Sequence, residues 1–497
     1  MDYISTRDNN IKITSSQAIV KGISDEGGLF VPSAIPTLTE EEISLLVGKS
    51  YEERAVYILS KYLSDFKKEE IFNCVNNAYG GTKFDDDAKA PISKLYPNLY
   101  FLELWHGPTS AFKDMALQLL PHLLVTSAKK NEVNDKIIIL VATSGDTGKA
   151  ALEGFKDVEN TEVIVFYPEN GVSPMQKKQM QTQAGKNVKV CAIKGNFDDA
   201  QSAVKTIFTN EEIKSQLKEK GMRFSSANSI NWGRLVPQIV YYVSCYCELI
   251  KQEEIAYGEK INVVVPTGNF GNILAAYYAK HMGVPINKLI CASNKNNVLT
   301  DFFNTGTYDR NREFYPSISP SMDILISSNL ERLIYTLSGS DSYTSFLMDS
   351  LSKTGKYTVS EEIKAKMDEE FFAYYCTDEE AKAEIEKIYN KYAYVLDTHT
   401  ADAVVAYDKY ISKTNDDTKT VIASTANPYK FSSSVLSAIC GEELSFEDDY
   451  EAVKLLFEKT ELTPPENLMC LKEKPCLHNT VIDKKDIISY TKEALGL

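Results

Sequence analysis

Short apolar runs alternate with segments of helical periodicity between about residues 99 and 295, and this alternation is the strongest constraint on the fold. The apolar runs have the length of single strands and lie at 137–141, 163–166, 188–193, 263–265 and 289–291. Helical segments adjoin them at 149–155, 174–183, 197–208 and 273–281. A strand that is apolar at every position needs cover on both faces of its sheet. The pattern therefore predicts an α/β fold of mainly parallel sheets flanked by helices.

The segments on either side of this alternation are more polar. Residues 1–90 show two helical patterns, at 40–47 and 51–66, and end in a loop with a run of three aspartates. Residues 300–415 are polar and tyrosine-rich, and their periodicity predicts helices near 328–338, 343–353 and 360–390. A strand at 421–423 and a helix at 431–439 return to the central pattern. A charged, irregular segment then ends in a predicted helix at 485–495.

These shifts in composition predict three regions. The first is an N-terminal region at 1–90, and the last is a C-terminal segment at 441–497. Between them, residues 91–440 form the central α/β region, with a helical insertion at about 300–415.

Charge and cysteine usage argue against several classes of function. A formal charge of −15 does not favour nucleic acid or an anionic membrane as the partner. The 9 cysteines are scattered and the 5 histidines are far apart, so we expect neither a disulfide framework nor a metal site. No apolar run reaches the length of a membrane span, and MDYISTRDNN lacks the apolar core of a secretory signal. We expect a cytoplasmic protein that acts as a monomer or homodimer.

Three predicted strands are each followed by a small polar turn and a helix. The turns read TSGDTG at 143–148, PTGNFGN at 266–272 and STANP at 424–428. Ligands of parallel sheets bind at the carboxyl ends of strands, where backbone N–H groups at a helix start attract anions. None of the turns matches a dinucleotide fingerprint or a Walker loop. One such turn is as often structural as functional, but three of the same chemistry favour a shared anionic ligand.

Lys113 lies in the stretch HGPTSAFKD at 106–114, just before a helical run. A lysine at a helix start is ordinarily a solvated surface residue. Here we expect Ser110 to cap the helix, which places Lys113 in the first turn, where the helix dipole opposes a cation. Its apolar neighbours Phe112 and Met115 also disfavour the ammonium form. A neutral amine can condense with a carbonyl cofactor such as pyridoxal phosphate, which also needs a phosphate-binding turn.

The chain resembles the threonine synthase family in its long form, and the resemblance extends over nearly the whole sequence. The matching motifs are YISTRD at 3–8, SDEGGLFVP at 24–32, HGPTSAFKD at 106–114, TSGDTG at 143–148, SANSINWGRLVPQIVYY at 226–242, PTGNFGN at 266–272, SPSMDI at 319–324, LDTHTADAV at 396–404 and STANPYKF at 424–431. The lysine motif combined with GNFGN is the most specific part of the resemblance. Asn427 departs from the family pattern.

The resemblance implies a fold-type II pyridoxal phosphate enzyme, similar to the tryptophan synthase β subunit. Such an enzyme converts O-phosphohomoserine and water to threonine and phosphate. Lys113 matches the lysine that binds the cofactor covalently, and Thr425 matches the residue that hydrogen-bonds the pyridine nitrogen. The loop that binds the cofactor phosphate is matched by Gly268, Asn269, Phe270, Gly271 and Asn272. The resemblance also assigns Lys113 a role as general base and acid.

The resemblance is less specific about the substrate. Ser144, Asp146 and Thr147 correspond to the loop that receives the substrate carboxylate, although many relatives in the wider superfamily have asparagine at the position of Asp146. The substrate phosphate needs a further anion site, for which we select Arg234, with Ser226, Asn228 and Asn231 nearby. Lys177 and Lys178 are weaker candidates. A structural ion pair is an equally good explanation of Arg234, and His106 and His399 are more often structural residues.

Three other functions stay open at this stage. A phospho-lyase similar to threonine synthase would act on a related phosphorylated amino compound and would differ in its substrate pocket. A nucleotide-binding protein would use the glycine-rich turns without a covalent cofactor. A non-catalytic homologue retained for binding is disfavoured by the intact Lys113 motif.

Overall fold

A computed structural model describes residues 1–446 and 448–497. The strands of these residues are β1 Tyr3–Ser5, β2 Asp8–Ile13, β3 Phe30–Pro32, β4 Ile92–Tyr96, β5 Leu99–Glu103, β6 Lys136–Ala142, β7 Thr161–Pro168, β8 Val188–Lys194, β9 Met222–Ser225, β10 Ile261–Pro266, β11 Ile286–Ser293, β12 Thr307–Asp309, β13 Lys356–Thr358, β14 Phe371–Tyr375, β15 Thr420–Ser424 and β16 Val481–Asp483.

The helices are α1 Ser15–Lys21, α2 Glu40–Val47, α3 Tyr51–Tyr62, α4 Lys68–Tyr79, α5 Asp114–Leu117, α6 Leu120–Lys130, α7 Asp146–Phe155, α8 Pro174–Gln181, α9 Phe197–Thr209, α10 Glu211–Glu219, α11 Trp232–Lys251, α12 Gly271–Met282, α13 Val298–Thr305, α14 Leu330–Ser338, α15 Asp341–Thr354, α16 Glu361–Glu370, α17 Asp378–Tyr392, α18 Thr398–Thr414, α19 Ser432–Cys440, α20 Asp449–Thr460, α21 Glu466–Met469 and α22 Ile487–Leu495. Short 3₁₀ turns occur at Pro320–Met322, Pro428–Phe431 and Lys484–Asp486.

Two mainly parallel sheets form the frame. The larger has six strands in the order β14-β11-β10-β15-β5-β4, and only its edge pair β4–β5 is antiparallel. The smaller has five parallel strands in the order β16-β8-β7-β6-β9. Each strand predicted from an apolar run is present, which confirms the α/β class. The turn after β6 belongs to the smaller sheet, whereas the turns after β10 and β15 belong to the larger one.

Both faces of each sheet are covered, as the uninterrupted apolar runs require. In β10, Val263 and Val265 belong to a core cluster that includes residues of α11 and α12, whereas Val264 belongs to a second cluster with residues of α17, α18 and α19. In β6, Ile139 faces the first cluster and Ile138 faces a third, which includes residues of α9, α10 and α22. Alternate residues of one strand therefore pack into different cores.

The predicted helix at 360–390 is wrong. The segment contains α16, then β14, then α17, and β14 pairs in parallel with β11 at the edge of the larger sheet. The residues of β14 are Phe371-Phe372-Ala373-Tyr374-Tyr375, and aromatic residues favour strands. The charged helices on either side masked this short apolar run. The last segment is also less irregular than expected, since β16 joins the smaller sheet beside β8.

Helix α11 runs through the largest core and is buried along nearly its whole length. It packs against α2, α3, α5 and α12, so it links the N-terminal helices to the helix that follows Lys113. Arg234 lies in its first turn and Pro237 lies within it. Among the described residues, no helix is both long and apolar enough to cross a membrane.

One of the links between the small sheet β2-β1-β3 and the rest of the chain is Arg332, which is fully buried in α14. The guanidinium donates hydrogen bonds to the carbonyl oxygens of Phe30, Ser229 and Ile230 at 3.0, 2.9 and 2.6 Å. A fourth bond, of 2.5 Å, reaches Oδ1 of Asn329. One cation thus holds together β3, the segment before α11 and the start of α14.

We predict that Arg332→Met lowers the free energy of unfolding by about 3 kcal/mol, because several buried carbonyl groups lose a charged donor. The measurement is the midpoint of urea unfolding followed by tryptophan fluorescence. Arg223→Met is the matched control, because the 42% exposed Arg223 pairs with Asp135 at the surface. It should change stability by less than about 0.5 kcal/mol. Equal effects of the two substitutions would contradict the account of Arg332.

Candidate active site

The lysine segment is joined to the turn that follows β15. The backbone N–H of Phe112 donates to the carbonyl oxygen of Thr425 at 2.8 Å, and Ala111 forms an antiparallel bridge with Ala426. Thr425 is 5% exposed. The segment from Ser110 to Lys113 therefore lies across the carboxyl end of β15, where ligands of parallel sheets bind.

The helix start at Lys113 differs from the predicted one. Helix α5 begins at Asp114, with Lys113 itself in the capping position. Ser110, predicted as the cap, has φ +58° and donates its hydroxyl to Oδ1 of Asn467 at 3.0 Å. The Asp114 carboxylate instead stabilises the turn, since it accepts hydrogen bonds of 2.8 Å from the N–H and the hydroxyl of Thr109.

The side chain of Lys113 is largely removed from water, and the residue is 9% exposed. Its Nζ lies 3.2 Å from the hydroxyl oxygen of Ser321, 3.9 Å from Oδ2 of Asp146 and 5.1 Å from the centre of the Phe112 ring. Burial lowers the pKa of Lys113 to about 8, although Asp146 opposes this shift. At pH 8 about half of this amine is neutral, compared with less than about 1% of an ordinary lysine.

Asp146, at the start of α7, lies between two lysines. Its Oδ1 forms an ion pair with Nζ of Lys430 at 2.6 Å and accepts a hydrogen bond from Nε2 of Gln176 at 2.8 Å, and its Oδ2 faces Lys113. Burial alone raises the pKa of Asp146, but Lys430 and Lys113 hold that pKa well below its usual range. The carboxylate is therefore ionised and repels another carboxylate. Its charge does not suit the predicted contact with a substrate carboxylate.

Sequence reasoning missed Lys430, which is fully buried in the 3₁₀ turn after β15. Besides Asp146, its Nζ contacts the carbonyl oxygen of Thr109 at 2.9 Å. The available signal was a lysine within the small and apolar residues of STANPYKF, only a few positions from Thr425.

The glycine-rich turn lies between β10 and α12, and close packing limits which residues it can contain. A Cβ on Gly268 would lie 2.9 Å from the carbonyl oxygen of Ser321, and one on Gly271 would lie 3.2 Å from Cβ of Ser229. Phe270 has φ +64°, a left-handed conformation that is uncommon outside glycine. This turn ends at the positive end of α12, so it suits an anion that approaches the backbone closely.

Ser321 brings the lysine and the glycine-rich turn together. Its hydroxyl bonds to Lys113, its carbonyl oxygen faces Gly268, and its N–H donates to Nε2 of His399 at 3.1 Å. Because Nε2 accepts this bond, the proton of the imidazole is on Nδ1, which lies 3.0 Å from Oδ1 of Asp397. His399 thus orients Ser321. His106 lies elsewhere, bonded to Asp85 at 2.6 Å and to Glu103 at 3.1 Å.

Arg234 is a buried cation without a hydrogen-bond partner for Nε or Nη1 among the described residues. Burial lowers the pKa of Arg234 to about 10, which leaves it charged at neutral pH. Its charge also lowers the pKa of Lys113, so the two charges interact. Buried charges are ordinarily paired, and an unpaired guanidinium is therefore a candidate site for an anionic ligand.

Asn272 connects this cation to the glycine-rich turn. Its Oδ1 accepts hydrogen bonds from the hydroxyl groups of Tyr241 and Tyr242 at 2.5 and 2.6 Å. Its Nδ2 is buried and has no partner among the described residues. Tyr241 also interacts electrostatically with Arg234. Unpaired donors thus lie both at the turn and beside it, as expected where a phosphate binds.

The other predicted substrate residues are placed less decisively. Ser144 lies in the turn before α7, Thr147 lies at the start of α7 and Asn228 lies in the turn before α11; all three are half-buried. Asn231 has a structural role, since it caps α11 and donates to the carbonyl oxygen of Ile19 at 3.0 Å. Lys177 and Lys178 contact the backbone of Glu169 and Lys474, respectively. In the described part of the chain, no group of His, Cys, Asp and Glu side chains is arranged to hold a metal ion.

Family comparisons agree with this geometry. The family described as "Pyridoxal-phosphate dependent enzyme" matches residues 87–426. "Threonine synthase N terminus" matches residues 2–79, and "Threonine synthase, C-terminal" matches residues 400–476. The buried amine, the close-packed glycine-rich turn and the unpaired donors fit the aldehyde and the phosphate of this cofactor.

Individual relatives cover most of the chain. "Threonine synthase-like 1" of Homo sapiens is 41% identical over 462 residues, which are 89% of this chain but 61% of that protein. The chain thus spans about three fifths of the length of that relative. "Threonine synthase" of Pseudomonas aeruginosa is 38% identical over 451 residues, 89% of this chain and 91% of that one. A crystal structure of pyridoxal-phosphate-bound threonine synthase from Brucella melitensis has a TM-score of 0.86, with 36% identity and 99% coverage of both chains.

The pyridoxal-phosphate enzyme family matches over two thirds of the chain. The relatives from Pseudomonas aeruginosa and Brucella melitensis are similar over most of their own lengths. Both findings agree with the arrangement of Lys113, Ser321 and the glycine-rich turn. The chain belongs to the threonine synthase family of fold-type II pyridoxal-phosphate-dependent enzymes.

Proposed function

We propose that the protein is a threonine synthase, which converts O-phosphohomoserine and water to threonine and phosphate. The observation that carries this proposal is the buried guanidinium of Arg234, whose Nε and Nη1 have no partner among the described residues and whose charge acts on Lys113. A pyridoxal phosphate enzyme needs one anion site for its cofactor, which the glycine-rich turn supplies. A second buried cation, close to the reacting lysine, is expected where the substrate carries a phosphate of its own.

Three parts of the chain are proposed to hold the cofactor. Lys113 would bond covalently to the cofactor aldehyde, and Gly268 to Asn272 would bind its phosphate through backbone N–H groups and through Nδ2 of Asn272, which has no partner among the described residues. Thr425 hydrogen-bonds the pyridine nitrogen. When bound, the cofactor withdraws electrons from the carbon atoms of the substrate, so that their protons become acidic.

Lys113 then acts as the general base and acid. With cofactor and substrate bound, its neutral Nζ would remove a proton from the α-carbon of the substrate and would return protons in later steps. The pKa of about 8 suits this exchange, because both forms of the amine are populated near neutral pH. The hydroxyl of Ser321, 3.2 Å away, orients Nζ.

The substrate carries two negatively charged groups, a phosphate and a carboxylate, and we propose a separate binding site for each. Arg234 is proposed to hold the phosphate of O-phosphohomoserine, which leaves as inorganic phosphate. Ser144 and Thr147 are proposed to donate hydrogen bonds to the substrate carboxylate, and Asn228 is proposed to contribute to the phosphate site together with Arg234. We leave Asp146 out of the site for the substrate carboxylate. Its own carboxylate is ionised and paired with Lys430, so it repels the carboxylate of the substrate.

A phospho-lyase acting on a related phosphorylated amino compound is the second candidate. The observation that favours it is the 41% identity to human "Threonine synthase-like 1", whose name does not state a threonine synthase activity. Both candidates use the same cofactor residues, so the product of the reaction distinguishes them.

We predict that the purified protein, supplied with pyridoxal phosphate and O-phosphohomoserine, releases threonine and phosphate in equal amounts. Amino-acid analysis and a phosphate assay measure the two products, and 2-oxobutyrate is measured beside them. 2-Oxobutyrate as the main product, or turnover only with other phosphorylated amino compounds, would favour the second candidate.

For Arg234→Met we predict at least about a tenfold higher KM for O-phosphohomoserine, because a charged contact with the phosphate is lost. The fold should be retained, since no group of the described chain depends on Nε or Nη1. Arg223→Met is the matched surface control and should leave KM unchanged. An unchanged KM in Arg234→Met, with normal cofactor content, would refute the phosphate site.

We predict that Gly268→Val weakens pyridoxal phosphate binding at least about tenfold, since its Cβ would clash with the backbone of Ser321 at 2.9 Å. The measurement is cofactor titration followed by absorbance. In the control Gly48→Val, the added Cβ meets no atom of the described residues within 4 Å, so the affinity for pyridoxal phosphate should not change. Unchanged affinity in Gly268→Val would exclude the turn as the phosphate cradle.

A further inference from the structure

We propose that Lys430 is a positioning residue that keeps Asp146 from pairing with Lys113, so that the Lys113 amine is free to lose its proton. The inference rests on the proposed function only through the role of Lys113. In this proposal Lys430 controls the position of the Asp146 charge. Asp146 influences the protonation of Lys113 and does not make the contact with the substrate that the sequence predicted.

The three side chains form a buried row with one negative charge between two lysines. Lys113, Asp146 and Lys430 are 9%, 3% and 0% exposed, respectively. Lys430 is bonded to Oδ1 of Asp146 at 2.6 Å, whereas Lys113 lies 3.9 Å from Oδ2, beyond hydrogen-bond distance. The Asp146 carboxylate therefore interacts more strongly with Lys430 than with Lys113.

One carboxylate can balance only one buried cation. Two buried ammonium groups beside a single carboxylate leave an uncompensated charge in a poorly solvated site, which is unfavourable. The proton is lost most readily from the lysine with the weaker contact, which is Lys113. Without Lys430, Asp146 would become the counter-ion of Lys113 and would stabilise its ammonium form.

No other anion faces Lys113 among the described residues. The groups close to its Nζ are Asp146 of α7, the Ser321 hydroxyl of the turn at Pro320–Met322 and the ring of Phe112. The charges of Arg234, on α11, and of Lys430 also act on it. Both of these cations disfavour a proton on Lys113. Among the described residues, Asp146 is thus the one anion that favours a proton on Lys113, and Lys430 is its partner.

A purely structural role for Lys430 predicts a different outcome. Its second bond, to the carbonyl oxygen of Thr109, joins the 3₁₀ turn after β15 to the segment before Lys113. If this link were the whole role, removing the charge would change stability but would not change the titration of Lys113. The pH profile of Lys113 separates the two explanations.

The test follows covalent attachment of pyridoxal phosphate to the full chain from which the cofactor has been removed, by stopped-flow absorbance between pH 6 and 10. Attachment requires the neutral amine, so its rate reports the protonation of Lys113. We predict that Lys430→Met lowers the rate at pH 8 about fivefold and moves the profile to higher pH. The control Lys430→Arg keeps the charge and should leave the profile near that of the unsubstituted protein.

Asp146→Asn should shift the pH profile in the direction opposite to Lys430→Met. This variant tests the inference even if Lys430→Met does not fold. It leaves Lys113 facing two cations and no anion, so the rate at pH 7 should rise about fivefold and the profile should move to lower pH. Profiles that coincide with the unsubstituted protein in Lys430→Met or in Asp146→Asn would overturn the inference. Attachment to a lysine other than Lys113 would instead overturn the proposed function, and peptide mapping distinguishes the two failures.

Discussion

Burial of the Lys113 amine is the constraint on which the rest of the site depends. An ammonium group taken out of water loses much of its solvation, and here burial moves its pKa to about 8. Such a group is reactive only if the nearby charges do not restore its proton. The arrangement of Asp146, Lys430 and Arg234 around it therefore matters as much as the lysine itself.

The fold creates this environment by bringing the two sheets together at the carboxyl ends of their strands. The smaller sheet contributes the turn with Asp146, and the larger contributes the glycine-rich turn and the segment from Thr425 to Lys430. Ser321 lies between them and is in contact with Lys113, Gly268 and His399. Helix α11 supplies Arg234 from the same core that anchors the N-terminal helices. No single element contains the site.

Local sequence patterns predicted the parts of this arrangement that depend on neighbours along the chain. The apolar runs specified β6, β7, β8, β10, β11 and β15, and the glycines and polar residues of the turns marked where these strands end. The lysine motif was visible because an amine at a helix start among apolar residues is unusual. The proposed cofactor and substrate roles of these residues stay predictions.

Contacts between distant segments could not be predicted in the same way. Ser321 bonds to Lys113 across 208 positions, and Lys430 bonds to Thr109 across 321 positions. Neither residue has a local feature that indicates its partner. The short strand β14 was hidden for a related reason, since its aromatic run is short, lies between charged helices and pairs with the distant strand β11. The prediction of Ser110 as the helix cap was wrong, because the carboxylate of Asp114, four positions later, accepts the hydrogen bonds of this turn from Thr109.

The most direct test of the central claim is reduction of the cofactor-loaded protein with borohydride, followed by proteolysis and mass mapping of the labelled peptide. The account predicts a single pyridoxyl label on Lys113, and its complete loss in Lys113→Ala even though that variant still binds the cofactor. A label on another lysine, or a label that persists in Lys113→Ala, would contradict it.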